Sequence, residues 1–486
     1  MVVAHYPHRN SETTYQSRTL MKMLLPYRII SAAAVIIALL SPLAIGDGQT
    51  ALCHIETDVV IIGGGAAGTY AAISLMDKGV NVVLVEQQPD LGGHADTYTD
   101  LTTGQDVNVG VQIFHDNSVV RGFAARLGAS MAPPPPDGAT LSIDLTTGKA
   151  QLDPEADPGI PAALGTYINI LNASYPFLNK GFFLPDPVPE DLFLPFGDFA
   201  KKHDIVPLVF LLNRFTQGWD IIRVPTLYVF MIINLDLVSD IAAGTFLTTN
   251  DTNVLYRSAL AILGERVLLN AHVTSVLRSN LGVRVHVKQE DTTSKVIKAK
   301  TLLMTGSPVL DNLQGWDLVP EEKTLFSKFS GFGYFAGVVS NPGFPDNTGF
   351  HNVASNNSGF HTPKLPAVFV INNTPLPDKV RTVYYGTPQG IHIDKSNAAR
   401  MALDDLDRLV ASQGYGHAKT KLLDWVAHGP FNIQVSAEDI KNGFYARLYA
   451  LQGQRSTFWS GSTWTAQDSA TIWGYTKNVV LPLIRP

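Results

Sequence analysis

The sequence predicts an α/β fold, a parallel sheet entered through a strand–glycine turn–helix unit and interleaved with a second, α+β portion. Three observations predict it. Asp58 leads into Val59 to Ile62, four consecutive β-branched residues, and an apolar run of that length and composition is a strand buried on both faces. Gly63, Gly65 and Gly68 follow at G-x-G-x-x-G spacing and open a helix over Ala66 to Asp77 that Lys78 and Gly79 close. Asn81 to Val85 then makes a second strand ending on an acid, Glu86, about 20 residues beyond the glycines.

Strand, glycines, helix, strand and acid in that order form a Rossmann-like dinucleotide site. Gly63 permits the tight turn, Gly65 lets backbone approach the pyrophosphate, and Gly68 allows close packing of helix on strand. The first helical amides, at Ala66 and Ala67, point the positive end of the helix dipole at the phosphates. Glu86 accepts hydrogen bonds from the adenosine ribose hydroxyls and repels a 2′-phosphate.

The next segment, Gln87 to Thr97, reads QQPDLGGHADT, and a second glycine pair this soon after the acid is unusual for a nicotinamide domain. It resembles the segment with which the flavin-containing amine oxidase superfamily wraps FAD. The resemblance implies that Gly92 and Gly93 pass close to the phosphate and the isoalloxazine. That family generally has arginine after the pair, where this chain has His94, a residue that still donates to phosphate or flavin. Val107 to Phe114 resembles the family's strand at the flavin, with Gly110 where backbone passes the ring.

Two later stretches extend the resemblance. Glu265 to Arg278 and Gly282 to Lys288 read as strands, and the superfamily holds adenine through backbone near the position of Val273. Lys300 to Pro308 matches the strand returning to the FAD sheet. In Ser456 to Val480 a strand ends in Gly461, and a helix begins near Asp468 to Thr471. The resemblance implies that this helix, at Thr471 and Ile472, meets flavin N1 and O2 and stabilises negative charge on the reduced ring. The family's acid after that glycine is replaced by Ser462 and Thr463. Among relatives the chain looks most like the fungal beta-cyclopiazonate dehydrogenase group, which oxidises specialised metabolites.

These matches divide the chain. Residues 57–130, 263–310 and 450–486 are expected to build an FAD-binding domain of amine-oxidase type. Residues 131–262, entered through Pro133 to Pro136, read as a helical substrate-domain segment, and 311–449 as the rest of an α+β substrate domain. In the helical segment Ile205 to Phe215 and Tyr228 to Val238 are apolar, but Asn213, Arg214, Asp220, Arg223 and Asp236 interrupt them, so neither is a membrane span. They either cover the sheet or line a lipophilic tunnel. Later, Gly331 to Ser340 and Ala367 to Asn372 read as strands and Asn397 to Ser412 as a helix. Tyr334, Phe335, Tyr384 and Tyr385 are candidates for an aromatic-walled pocket, with core packing as the competing reading.

Composition narrows the function. The 486 residues are 45% hydrophobic and 16% charged, enough for a large core and too apolar for a disordered chain. A net charge of −6 leaves no basic excess for a nucleic acid partner. One cysteine, Cys53, builds neither a disulfide nor a cysteine-ligated metal centre. No G-x-S-x-G elbow and no H-E-x-x-H helix occurs, and no metal is expected. The resemblance implies an FAD-dependent oxidoreductase in which flavin N5 takes hydride from a small hydrophobic molecule, amines among them, and O2 reoxidises the flavin. The alternatives are a flavin-dependent isomerase of polyenoic lipids and a secreted FAD-binding protein without catalysis. The catalytic candidates are Lys328, as a lysine holding water near N5, and His94. A histidyl link to flavin, at His94 or His115, stays open.

The N-terminus reads as targeting sequence. Arg9, Arg18, Lys22 and Arg28 precede an uncharged run from Ile29 to Ile45, and small residues Ala44 and Gly46 follow before Asp47. Residues 1–46 are expected to be a signal peptide sending a glycoprotein, with sequons at Asn172, Asn250, Asn356 and Asn372, into the secretory pathway. An uncleaved N-terminal membrane anchor is the alternative.

Overall fold

Val59, Val60 and Ile61 are fully buried in the strand Cys53–Ile62, because parallel neighbours flank it and helices cover it. Val82–Val85 lies on one side, with Val59 opposite Val82, and Ser294–Met304 on the other, with Val59 opposite Thr301. The computed structural model describes residues 53–485, apart from 137, 291–292 and 356–358. The expected signal peptide and the sequon at Asn356 lie outside the described residues.

The strand Ser294–Met304 is shared along its length. Its first half pairs antiparallel with Gly282–Gln289, and its last three residues pair in parallel with Thr457–Trp459. Ala271–Ser279 and Val267–Leu268 complete seven strands among the described residues. One sheet is thus assembled from three separated stretches of chain. The helix Ala66–Met76 packs on it, and the C-terminal helix Ser469–Tyr475 packs on that helix, where Trp473 stacks on Tyr70 and meets Phe123 edge-on.

A second sheet runs Lys421–Ala427, Tyr334–Ser340, Val380–Gly386, Ala367–Asn373, Thr348–Asn352, Ala139–Asp144 and Lys149–Ala150. The amphipathic helix Lys395–Ser412 covers one face, burying Ala398, Ala402, Leu406 and Leu409 against Phe335, Tyr385 and Trp425. The opposite face carries Tyr334, Tyr384 and Phe369, and it looks toward Val109 of the first nucleotide-binding stretch.

Three sequence expectations change. Residues 139–144 and 149–150 belong to the second sheet, so the segment 131–262 is not wholly helical. The apolar run Tyr228 to Val238 falls into two helices, Thr226–Ile232 and Leu235–Ala243, bent by 57° where Asn234 caps the second. Among the described residues no single helix is long and apolar enough to cross a membrane. Val107 to Phe114 is not one strand: Asp106–Asn108 pairs with Thr97–Thr99, Phe114–His115 pairs with Phe246–Leu247, and the residues between form an irregular loop.

Candidate functional site

The first turn is fixed from three sides. The Gly63 amide donates to Val85 O at 2.9 Å, and Thr305 Oγ1 lies 2.9 Å from both the Ile62 and Gly63 carbonyls. A Cβ on Gly68 would stand 1.9 Å from Gly63 O, so helix and turn touch backbone to backbone. Glu86 is buried beside the turn: Oε2 accepts from the Gly64 amide at 2.6 Å and Oε1 from the Gln88 amide at 2.8 Å. Charge-assisted acceptance of this kind orients the carboxylate before any ligand arrives.

The second glycine pair closes on the first. The Gly92 amide donates to Gly64 O at 3.0 Å. Gly93 has φ +61°, and a Cβ there would come within 3.1 Å of Gly65 Cα. Side chains at 65 and 93 would fill the same space, so the two glycines leave a cradle of bare backbone. The chain then folds back. Val111 donates to His94 O at 3.2 Å and Gly110 to Asp96 O at 3.1 Å, which lays the 109–113 loop along the 94–96 segment.

His94 is exposed, although aromatic and histidine rings crowd one side of it. Desolvation pushes its imidazole down to about 4. Its ring meets His428 edge-on at 4.5 Å between centroids and lies 5.4 Å from Phe431. His428 is buried, stacks against Tyr334 at 5.4 Å, and has its Nε2 3.6 Å from Asp96 Oδ2 with no hydrogen-bond partner among the described residues. Burial, with His94 adding, holds the His428 imidazole well below its ordinary value. Burial and the Asp424 carboxylate push Asp96 up to about 6, against the opposing pull of Lys395. Tyr384 stacks on Tyr334 at 6.3 Å and bonds Gln112 through its hydroxyl.

Strand alternation divides the four aromatic candidates. Tyr334 and Tyr384 lie on the face toward His428, whereas Phe335 and Tyr385 are packed beneath the helix Lys395–Ser412. Sequence reasoning missed Asp96, Gln112 and His428. The Gly429–Pro430 pair signals a turn after His428, but nothing in the spacing says that it faces a residue more than three hundred positions earlier.

The later residues reach the same region by different routes. The Ala271 amide donates to Glu86 O at 2.9 Å, which sets the strand carrying Val273 beside that acid; Val273 is half-buried opposite Val287. Gly461 follows Thr457–Trp459, and a Cβ there would sit 2.8 Å from Thr305 O. Asp468 Oδ1 accepts from the Thr471 amide at 2.8 Å, Thr471 Oγ1 accepts from Asn234 at 3.2 Å, and Ile472 is buried. Trp473 donates to Ala66 O at 3.1 Å and ties this helix to the first turn. His115, also buried, joins Asp240 at 2.6 Å through Nδ1 and lies 3.4 Å from Asp468 through Nε2. Burial opposes its charge, but Asp468 and Asp240 together outweigh it and raise the imidazole to about 9.

Lys328 is not brought to this group. It follows the helix Pro320–Phe326 on the outside of the molecule and pairs with Asp439. A loop position beside a strand does not fix which way a long cationic side chain turns, and here water and a carboxylate decide it. Among the described residues no three His, Cys, Asp or Glu side chains gather to hold a metal ion.

The residues fit flavin adenine dinucleotide. Gly65 and Gly93 form a cradle that a Cβ would fill, Glu86 is oriented at the end of the second strand, and Asp468 Oδ2 and Ser307 Oγ are buried without a partner among the described residues. Unsatisfied buried polar atoms are what a polar ligand completes.

Comparison with known proteins agrees. Residues 61–127 match the NAD(P)-binding Rossmann-like domain family. The chain is 35% identical to an FAD-dependent oxidoreductase of Colletotrichum higginsianum over 458 residues, covering 88% of this chain and 93% of the relative. It is 34% identical to the beta-cyclopiazonate dehydrogenase of Aspergillus flavus over 447 residues, 91% of this chain and 96% of the relative. Among solved structures the fold is similar to the CLA-producing fatty acid isomerase from P. acnes, with TM-score 0.73, 22% identity and coverage of 88% and 98%. It is also similar to putrescine oxidase, with TM-score 0.64, 14% identity and coverage of 89% and 99%.

Proposed function

Because this chain belongs to the family of FAD-dependent oxidoreductases that includes beta-cyclopiazonate dehydrogenase, we propose that it oxidises a hydrophobic, nitrogen-containing specialised metabolite and passes the electrons to O2. Bound FAD would supply a two-electron acceptor for hydride leaving a substrate carbon. The chain's own residues do the rest. Gly63 to Gly68, Gly92, Gly93 and Glu86 would hold the dinucleotide, and Tyr334, Tyr384 and Phe431 form an aromatic wall beside His94. Orientation of this kind lets a hydride donor and acceptor meet at reacting distance.

The observation that carries the reading is the closure of the second glycine pair on the first turn beside an oriented acid. The domain assignment follows from it: residues 57–130, 263–310 and 450–486 bind the flavin, and 131–262 with 311–449 build the substrate side, supported by the strands each contributes to the two sheets.

Purified protein refolded with FAD is expected to keep the flavin through gel filtration and to consume oxygen with formation of peroxide when a substrate is found among hydrophobic amines. Protein that never retains flavin sinks the reading. Turnover without oxygen uptake replaces it by an isomerase, in which the hydride returns to the same molecule.

The apolar run Ile29 to Ile45 with its basic flank supports entry into the secretory pathway. A C-terminal reporter fusion is expected to appear in the medium or the secretory lumen with residues 1–46 removed. Retention of that segment in carbonate-washed membranes supports the anchor instead.

A further inference from the structure

An oligosaccharide linked to asparagine must leave the protein surface without displacing packed groups, and its transferase reads the asparagine together with the hydroxyl residue two positions on. Three such triplets lie among the described residues, beginning at Asn172, Asn250 and Asn372. Their sequences are alike, and the fold separates them.

Asn372 lies in the strand Ala367–Asn373, which is paired along both edges. It stands opposite Thr382 and so shares the face of Tyr384, the face turned toward Val109. Asn372 is half-buried, and Thr374 is buried with its hydroxyl given to Val380 O at 2.8 Å. Asn250 is exposed, but the residues around it are held. Thr249 O accepts from Asn108 Nδ2 at 2.8 Å, and Asp251 accepts from Thr97 at 2.9 Å. Thr252 is fully buried and donates its hydroxyl to Val111 O at 2.8 Å.

Asn172 differs on each count. It sits in the last turn of the helix Ile160–Ser174, whose buried stripe is Ala163, Tyr167 and Leu171. With Gly165 and Asn169, also exposed, it forms the opposite, outward stripe. Asn172, Ala173 and Ser174 are all exposed, so asparagine and hydroxyl are presented together. A sugar here adds a hydrated cover and displaces no packed side chain.

We propose that Asn172 carries an N-linked oligosaccharide in the folded, secreted protein. The assignment rests on the secretory reading above and is independent of the flavin chemistry. The donor is an oligosaccharide on a lipid pyrophosphate. Asn172 Nδ2 attacks the anomeric carbon of the first sugar, so a C–N bond forms and the C–O bond to pyrophosphate breaks. The lipid pyrophosphate leaves with that bond's electron pair, and the amide gives up one proton. Nothing is oxidised or reduced.

The test expresses the full chain in a eukaryotic host and follows protein recovered from the medium. Glycopeptide mass spectrometry is expected to find sugar on the peptide containing Asn172, with the asparagine converted to aspartate when an amidase releases it. Asn172→Gln and Ser174→Ala are each expected to lose one step of the amidase-sensitive gel shift, whereas Ser174→Thr, which keeps the hydroxyl, retains it. Ser174→Ala leaves the asparagine in place, and an unchanged melting temperature shows that each variant has folded. Secreted protein with a bare Asn172, or a gel shift that Asn172→Gln leaves unchanged, overturns the proposal. Protein that stays in the cytosol with residues 1–46 in place overturns the secretory reading, and the proposal with it.

Discussion

His115 Nε2 lies 3.4 Å from Asp468 Oδ1 in the interior, while its Nδ1 contacts Asp240 at 2.6 Å. The two carboxylates raise the imidazole from an ordinary 6.5 to about 9. A raised histidine stabilises the fold fully below its unfolded value and loses that contribution as pH climbs through its folded value. The gap in stability between the wild-type chain and His115→Gln is therefore expected to narrow by about 3 kcal/mol between pH 6.5 and 9, read from urea midpoints. A gap independent of pH would show that His115 is neutral when folded.

Glu86 makes a different kind of contact, accepting two backbone amides with a buried carboxylate. In Glu86→Gln an amide NH2 must face one of those N–H groups. FAD affinity is expected to fall about 10- to 100-fold, from loss of one or two charge-assisted bonds, as measured by quenching of flavin fluorescence.

Gly68→Ala puts a methyl where Gly63 O already stands, 1.9 Å from the Cβ position. Neither partner is a flexible side chain, so turn and helix must separate. Thermal unfolding is expected to show a loss of about 1–3 kcal/mol, and FAD retention is expected to fall with it. An unchanged melting temperature would contradict the backbone contact.

Arg278 has a fully buried side chain that bonds Glu322 through two nitrogens at 2.7 Å each and Asp317 through Nε at 2.8 Å; Arg455 also reaches Asp317. Removing the guanidinium strands the Glu322 carboxylate, which is 3% exposed. Arg278→Met is expected to destabilise by about 3–5 kcal/mol. The double variant with Glu322→Leu is expected to recover most of it, because both charges then leave together.

Lys328→Ala tests the discarded lysine. Its ion pair with Asp439 is partly exposed, and such pairs contribute about 0–1 kcal/mol. Stability is expected to stay within that range and flavin reduction to proceed at the wild-type rate. A large loss in reduction rate would return Lys328 to the active site.

The nucleotide-binding strand, turn and helix were legible because their physics is local: Val59 to Ile62 and the glycines that follow carry their constraints within a dozen residues. Glu86 was legible at longer range, because the turn, helix and second strand between fix where that strand ends. The aromatic candidates were half legible. Alternation alone puts Tyr334 and Phe335 on opposite faces, but only the packing of Lys395–Ser412 says which face is covered. His428 and Asp96 were not legible, since their meeting depends on how the second sheet docks, a long-range event that leaves no periodic trace. The 109–113 loop was misread as strand because the resemblance was carried across Val107 to Phe114 as one piece, whereas its backbone bonds the 94–96 segment instead.

Thr457–Trp459 pairs with Leu302–Met304, and Ser294–Met304 in turn pairs with Cys53–Ile62. A ribosome therefore releases the first strand long before its sheet has a second edge, and loop closure across such separations is slow. The newborn chain must wait with Val59 to Ile62 unpaired on one flank until residues near 300 emerge, and Leu302 to Met304 must wait in turn for Thr457 to Trp459. Flavin added during synthesis is expected to be captured only after that last strand arrives, and ribosome-stalled chains ending before Thr457 are expected to depend on chaperones to remain in solution.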